Sequence, residues 1–383
     1  MMNEYVFGHQ NIKFKTKNYK ANYMNDSVSI KLPIFIIHGN HDDPWGLEHL
    51  SNINMLSTNH TVNYFGSVTN IEEIEVNPIL LIKGQTKIAL YGIGHMKDER
   101  LNIAFEQKKI RFLRPKDDPE SWFNILVLHQ NRFKGLHWGV SKRHALTEDI
   151  IPSFINFVLW AHEHESIPKT YECQETGVHI LQPGSTVQTS LIEAESREKH
   201  WFILTVYKTA FKLEPKPMKW YRPLIFQHIE LSETKMDRRE SDKIENHIIE
   251  VLNKMVEKAN LIYKDRPETM RLPLIKLKIE STGYDTIRSQ RLANHFNGRI
   301  ANINEFIHCY KRTITIRSIQ GGPDNMQSRS NNRLKSAWIL EENDKTETGD
   351  QTMFHDIDEN KQLLHNKVRY SNNKNFIDGR MIL

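Results

Sequence analysis

Three short apolar runs in this 383-residue chain end on side chains that bind metals. "IFII" (34–37) leads into His38, Gly39, Asn40, His41, Asp42 and Asp43; "NILVL" (124–128) leads into His129; and "NFVLW" (156–160) leads through Ala161 to His162 and His164. If each run is a strand of one sheet, their carboxyl ends share a rim, which is where open α/β sheets bind ligands. His162 and His164 are two apart on extended backbone, so they lean the same way. An Asn carbonyl oxygen and several imidazole nitrogens make an N/O donor set suited to Mn²⁺, Fe²⁺ or Zn²⁺. The pattern points to a metal centre of Asn40, His129, His162 and His164. His38 precedes the glycine turn and is assigned to packing or to support of the ligands. His9, His60, His95, His137 and His144 have no comparable setting and are assigned to surface or loop positions. Asp42 and Asp43 precede Pro44, so at least one is expected to cap a helix beginning there.

The elements that must position these residues are legible as short apolar runs bounded by turn residues. Strands are expected at 33–37, 79–82, 87–91, 124–128, 156–160, 178–181 and 201–207, together forming one sheet core. Helical segments intervene, one running from Pro44 through "WGLEHLSNINML". This alternation predicts a layered α/β domain over residues 1–211. Residues 212–223, "KLEPKPMKWYRP", hold three prolines and predict a stiff linker. A compact α+β module is expected over 224–320. Within it, Ile244, Ile248, Val251, Leu252, Met255 and Ala259 share one helical face, and Ile275, Leu277 and Ile279 alternate with Lys276, Lys278 and Glu280. A short helix near 287–297 and a strand near 306–317 complete it. Residues 321–383 are rich in Asn, Asp, Glu, Ser, Lys and Gln, and are expected to be mostly disordered.

Bulk properties narrow the setting. Two cysteines, Cys173 and Cys309, without CxxC spacing argue against a disulfide framework or a cysteine zinc site. The N-terminus has no apolar signal core, and no run of about 18 apolar residues occurs, so a soluble intracellular protein without a membrane partner is expected. The net charge of +5 permits a polyanionic partner without requiring one. The excess sits in the first 320 residues, since 321–383 carry 9 basic against 10 acidic residues.

GNHD, a later His after a strand, and a closing HxH resemble the second half of the calcineurin-like metallophosphoesterase signature. More narrowly, "IHGNHDDP", "TKIALYGIG", "DERL", "KIRFLRPKDDPESWFNILVLHQNR", "WAHEHE" and "QPGSTVQTSL" resemble the eukaryotic double-strand-break repair nucleases of the meiotic-recombination-eleven family, related to bacterial SbcD. The likeness runs from about Leu32 to Arg317, and "PLIKLKIESTGY" and "INEFIHCYKR" are similar to that family's capping domain.

The resemblance implies a layered β-sandwich metallophosphoesterase core flanked by helices, plus a small DNA-binding α+β capping domain. It implies a Mn²⁺-dependent DNA endo/exonuclease working by two-metal phosphodiester hydrolysis. Asn40, His129 and His162 would serve one Mn²⁺, His164 the other, and His41 would be the general acid. Asn131 and Arg132, just past His129, and the basic loop "KGLHWGVSKRH" (134–144) are candidates to meet DNA. Implied partners are DNA, a second copy through the segment bearing Trp45, Leu50, Ile53 and Leu56, an SMC-like ABC ATPase and a nibrin-type third subunit. The implied location is the nucleus, and the implied process is repair by homologous recombination, including in meiosis.

Two departures from the family pattern are visible. Ala161 stands where the family writes Gly before the first His of HxH. More consequentially, the family's Asp-x-His and Gly-Asp motifs should precede GNHD, and only 39 residues precede Asn40. "FGHQ" has no Asp two before its His, and Asp26 follows Asn25 rather than Gly. Four of seven expected ligands are therefore present, at most one metal is expected to be well held, and the chain is expected to be incomplete. A non-catalytic, DNA-tethering scaffold of the same complex is the alternative reading. A generic protein phosphatase fits the second module and the RFLRPK…SWFN block less well.

Overall fold

The computed structural model describes residues 6–7, 33–68, 70, 72–135, 142–263, 272–312 and 379–382. They form two compact units, with the chain passing from the first to the second at Lys219 and Trp220; Ser190–Ser196 also belongs to the second unit and Gly379–Ile382 to the first.

The first unit is built on a seven-stranded sheet. Its order is Val6–Phe7, Ile79–Lys83, Thr86–Ile93, Trp122–His129, Phe157–Ala161, His179–Leu181 and Tyr171–Glu172. The four strands from Thr86–Ile93 to His179–Leu181 run parallel, and the flanking pairs are antiparallel. Parallel strands covered on both faces need apolar residues at successive positions rather than alternate ones, which accounts for the unbroken runs in the sequence. One face buries Tyr91, Leu126, Leu128, Val158 and Trp160 under Leu101 and Ala104 of the helix Asp98–Glu106. The other buries Leu90, Phe123, Ile125 and Phe157 against Phe202, Leu204 and Val206 of the strand His200–Tyr207. Each such fully buried side chain contributes roughly 1.5–3 kcal/mol.

The strands expected as one sheet thus divide between layers. His200–Tyr207 is the centre of a second, three-stranded sheet, between Ala210–Pro217 and Gly379–Ile382. Phe35–Ile36 pairs with Asn63–Tyr64 in a separate two-stranded ladder. The linker expected at 212–223 is corrected in its first half, where residues 212–217 belong to the strand Ala210–Pro217. Pro215 and Pro217 share one parity along an edge strand, which has one unpaired side and therefore tolerates nitrogens that cannot donate.

The helix expected from Pro44 is also corrected: it spans Asn52–Thr58. Ser51 caps it, accepting from Ile53 N while Asn54 Oδ1 accepts from Ser51 N. Trp45 and Leu50 instead pair backbone to backbone across a tight turn in which Gly46 and His49 take positive φ. Asp43 does not cap a helix.

The second unit holds a parallel sheet of Leu224–Glu230, Leu274–Glu280 and Ile307–Tyr310. The helix Ser241–Tyr263 buries Ile244, Ile248, Val251, Leu252, Met255 and Ala259, and Ser289–Phe296 adds Leu292 and Phe296 to the same core. Residues 313–317 of the strand expected near 306–317 and residues 321–378 of the expected polar tail lie outside the described residues, and Gly379–Ile382 forms the strand already named. No described helix is long and apolar enough to cross a membrane, and both cysteines are free.

Candidate metal centre

Strand register brings the histidines together. Ile93 lies beside Leu128 and Leu128 beside Trp160, while His129 itself lies beside Ala161. The residues just past these strand ends, His95 and His162, therefore flank His129 at one rim. The imidazole centroids of His129 and His162 are 5.0 Å apart, and Nε2 of His129 stands 3.1 Å from Oδ1 of Asn40. Asn40 arrives from outside the large sheet. Asn63 N and Nδ2 both donate to Ile34 O, at 2.7 and 3.0 Å, and Phe65 N donates to Ile36 O, fixing the strand that carries the GNHD turn. At Gly39 a Cβ would stand 2.8 Å from the His129 ring, so only glycine lets that turn reach the imidazole.

His162 has φ +89°, a left-handed conformation that costs a non-glycine residue on the order of 1–3 kcal/mol. Ala161 ends its strand and takes no such conformation, so its methyl is accommodated in place of the family's glycine. Nε2 of His162 donates to Asn131 Oδ1 at 2.9 Å, and Asn131 donates in turn to Asp98 through Nδ2 at 2.7 Å and its backbone N at 3.2 Å. Burial pushes the Asp98 carboxyl up, more than its hydrogen bonds from Asn131 pull it down. This chain fixes the tautomer of His162 and leaves Nδ1 buried without a hydrogen-bond partner.

His164 and His41 complete the set. Nδ1 of His164 meets Thr189 Oγ1 at 2.7 Å, and its carbonyl accepts from Ser185 N, Ser185 Oγ and Lys199 Nζ, so the QPGST segment braces the HxH loop. His41 is exposed on the GNHD turn. Burial, reinforced by the neighbouring imidazoles of His162, His95, His164 and His38, pulls His129 down to about 3. Burial also lowers His162, helped by His95, His164 and His41 and opposed by Glu163. His95 and His164 therefore lie within electrostatic reach of both His129 and His162.

These residues fit a divalent transition ion. Two ligands at right angles about 2.1 Å from one ion stand about 3.0 Å apart, close to the Asn40–His129 spacing. The buried, unpartnered His162 Nδ1 is an acceptor in need of a ligand, and neutral imidazole is the form that coordinates. The donors approach in pairs rather than as a finished cage: among the described residues no group of three His, Cys, Asp or Glu is ready-made for a metal.

Three residues behave differently from the expectation. His95 belongs to the cluster, with its ring 6.3 Å from His129 and stacked 6.4 Å from His162. The available signal was its place just after the strand-like "KIALYGI", matching the strand-end setting of the other histidines. Asn131 and Arg132 have internal partners, so their assignment to DNA phosphate finds no support. Asn131 holds His162, and Arg132 bonds Glu148 and Gln182, each at 2.9 Å, while lying 4.5 Å from the Tyr171 ring centroid. Residues 136–141 of the basic loop lie outside the described residues. His38 meets its supporting assignment: it is buried, donates Nε2–H to His95 O at 3.0 Å and accepts from the Tyr64 hydroxyl at 2.7 Å.

The layered sheets and the histidine rim define a calcineurin-like phosphoesterase, and residues 8–166 match that family. Residues 211–361 match the Mre11 DNA-binding presumed domain. The chain is 37% identical over 310 residues to the double-strand break repair protein mus-23 of Neurospora crassa, covering 76% of this chain and 41% of the relative. It is 37% identical over 312 residues to the double-strand break repair protein MRE11 of Arabidopsis thaliana, covering 79% and 42%. Against the mouse protein of the same name it is 33% identical over 313 residues, covering 80% and 44%. The chain belongs to the Mre11 family of double-strand-break repair proteins. It spans less than half the length of these relatives.

Proposed function

We propose that this chain is a Mn²⁺-dependent DNA endo/exonuclease subunit of a nuclear double-strand-break repair complex. The observation that carries the reading is the approach of Asn40 Oδ1 to His129 Nε2 at the rim of the phosphoesterase sheet, with the His162 ring, its Nδ1 buried and unpartnered, 5.0 Å from that of His129. Asn40, His129 and His162 would hold one ion and His164 a second. A bound divalent metal supplies Lewis-acid polarisation of the phosphodiester and generates hydroxide near neutral pH. The protein's own part is to keep His129 and His162 unprotonated, to aim His162 through Asn131 and Asp98, and to present His41. That exposed imidazole, next to Asn40, is the general acid that protonates the departing 3′ oxygen.

The partners follow the family reading. The second unit binds duplex DNA, and an SMC-like ABC ATPase and a nibrin-type subunit complete the complex. Trp45, Leu47, Leu50, Met55 and Leu56 are exposed around one turn and helix, a surface suited to a second copy of the chain. Ile53, expected there too, is buried in its own fold.

A DNA-tethering scaffold without turnover is the second reading. It is favoured by the donor arrangement: among the described residues no group of three His, Cys, Asp or Glu stands ready to hold a metal. A nuclease assay on a 3′-recessed duplex, with and without Mn²⁺, separates the two. The chain as given is expected to cleave little; the chain joined to a relative's segment bearing Asp-x-His and Gly-Asp is expected to cleave with Mn²⁺ and to lose this in His129→Ala. Failure of the joined chain to cleave, with DNA binding intact, would leave the scaffold.

A further inference from the structure

We infer that His95 is an additional imidazole of this centre, backed by Asp43 so that it offers a nitrogen to the ion held by Asn40, His129 and His162. The inference rests on reading the cluster as a metal centre.

His95 is placed with unusual care for a loop residue. It lies two past the strand Thr86–Ile93, beside the strand that delivers His129. Its backbone is clamped in both directions by His38: His95 N donates to His38 O at 3.1 Å, and His38 Nε2 donates to His95 O at 3.0 Å. The His38 ring fills the space at Gly94, where a Cβ would meet it at 2.0 Å, so the chain comes as close as glycine permits.

The ring itself lies beside the cluster. Imidazoles sharing one ion through bonds of about 2.1 Å have centroids no more than about 6.5 Å apart. The three centroid separations among His95, His129 and His162 are 5.0, 6.3 and 6.4 Å, each inside that limit. The point equidistant from all three lies about 3.5 Å from each centroid, so bonds of about 2.1 Å need a small inward movement of the rings. Nδ1 of His95 is buried with no hydrogen bond, and the nearest carboxylate oxygen, Asp43 Oδ1, stands 3.6 Å away. A small approach would close that contact, put the proton on Nδ1 and leave the Nε2 lone pair for a metal. That is the carboxylate–histidine–metal arrangement. Asp43 Oδ1 also lies 3.8 Å from His38 Nε2, so it spans the two histidines.

The test is Mn²⁺ titration calorimetry on the full chain, beside pulsed EPR of the Cu²⁺-loaded chain, which counts coordinated imidazoles. His95→Gln is expected to weaken Mn²⁺ binding about tenfold or more and to remove one imidazole from the EPR count, with the metal-free Tm little changed. Asp43→Asn, at a half-exposed carboxylate, is expected to weaken binding less and keep the count; it also serves if His95→Gln fails to fold. Unchanged affinity and count in His95→Gln, or unchanged affinity in Asp43→Asn where only that variant folds, would overturn the role of His95 alone. A wild-type chain binding no Mn²⁺, like His129→Ala, would overturn the metal reading and this inference with it.

Discussion

Asn131 Oδ1 takes the Nε2 proton of His162 at 2.9 Å, which leaves the other ring nitrogen, Nδ1, buried and unpaired. One side-chain amide therefore sets which nitrogen of His162 can meet a metal, and Asp98 holds the amide in place. Asn131→Leu keeps the volume but removes the acceptor. We expect it to weaken metal binding roughly 10- to 100-fold, measured by calorimetry, with far-UV circular dichroism unchanged. Unaltered affinity would show that His162 needs no such partner.

The depressed pKa values of His129 and His162 set a pH dependence for the metal-free protein. An unfolded histidine titrates near 6.5, whereas folded His129 titrates near 3. Between those values the unfolded state binds more protons, so stability is fully present above about pH 6.5 and declines as pH falls towards 3. Thermal melts of the wild type should lose Tm from pH 7 to pH 5, and His129→Gln should lose less. Parallel slopes for the two proteins would contradict the assignment.

The Gly39 contact predicts a steric effect. A methyl 2.8 Å from the His129 ring forces either the turn or the imidazole to move, costing about 1–3 kcal/mol. Gly39→Ala should lower the urea midpoint and weaken metal binding together, because the same displacement separates Asn40 from His129. A variant with full stability and full affinity would mean that the turn is looser than the contact implies.

The gathering of these side chains was legible in the sequence because Asn40, His129 and the pair His162 and His164 each follow an apolar run, and the ends of neighbouring parallel strands share a rim. What the sequence withheld is register. Nothing in "GIGH" says that Ile93 lies beside Leu128, and only that pairing puts His95 with His129. The helix start was misplaced because Asp43–Pro44 offers a good local cap, yet the pairing of Trp45 with Leu50 and the Ser51–Asn54 box override it. The proline-rich segment was misjudged because proline at an edge strand looks, in sequence, like proline in a linker.

The exposed apolar turn carries a prediction about association. Trp45 is 80% and Leu47 100% exposed, an unfavourable display for a surface that meets only water. Trp45→Glu with Leu47→Glu should shift sedimentation of the chain towards monomer without lowering Tm. A sedimentation coefficient identical to the wild type would place self-association elsewhere.

The most direct measurement is an anomalous difference map from crystals soaked in Mn²⁺. The account predicts a peak about 2.1–2.3 Å from Asn40 Oδ1, His129 Nε2 and His162 Nδ1 at once. A peak bound elsewhere, or none at saturating Mn²⁺ with those three side chains ordered and facing one another, would contradict it.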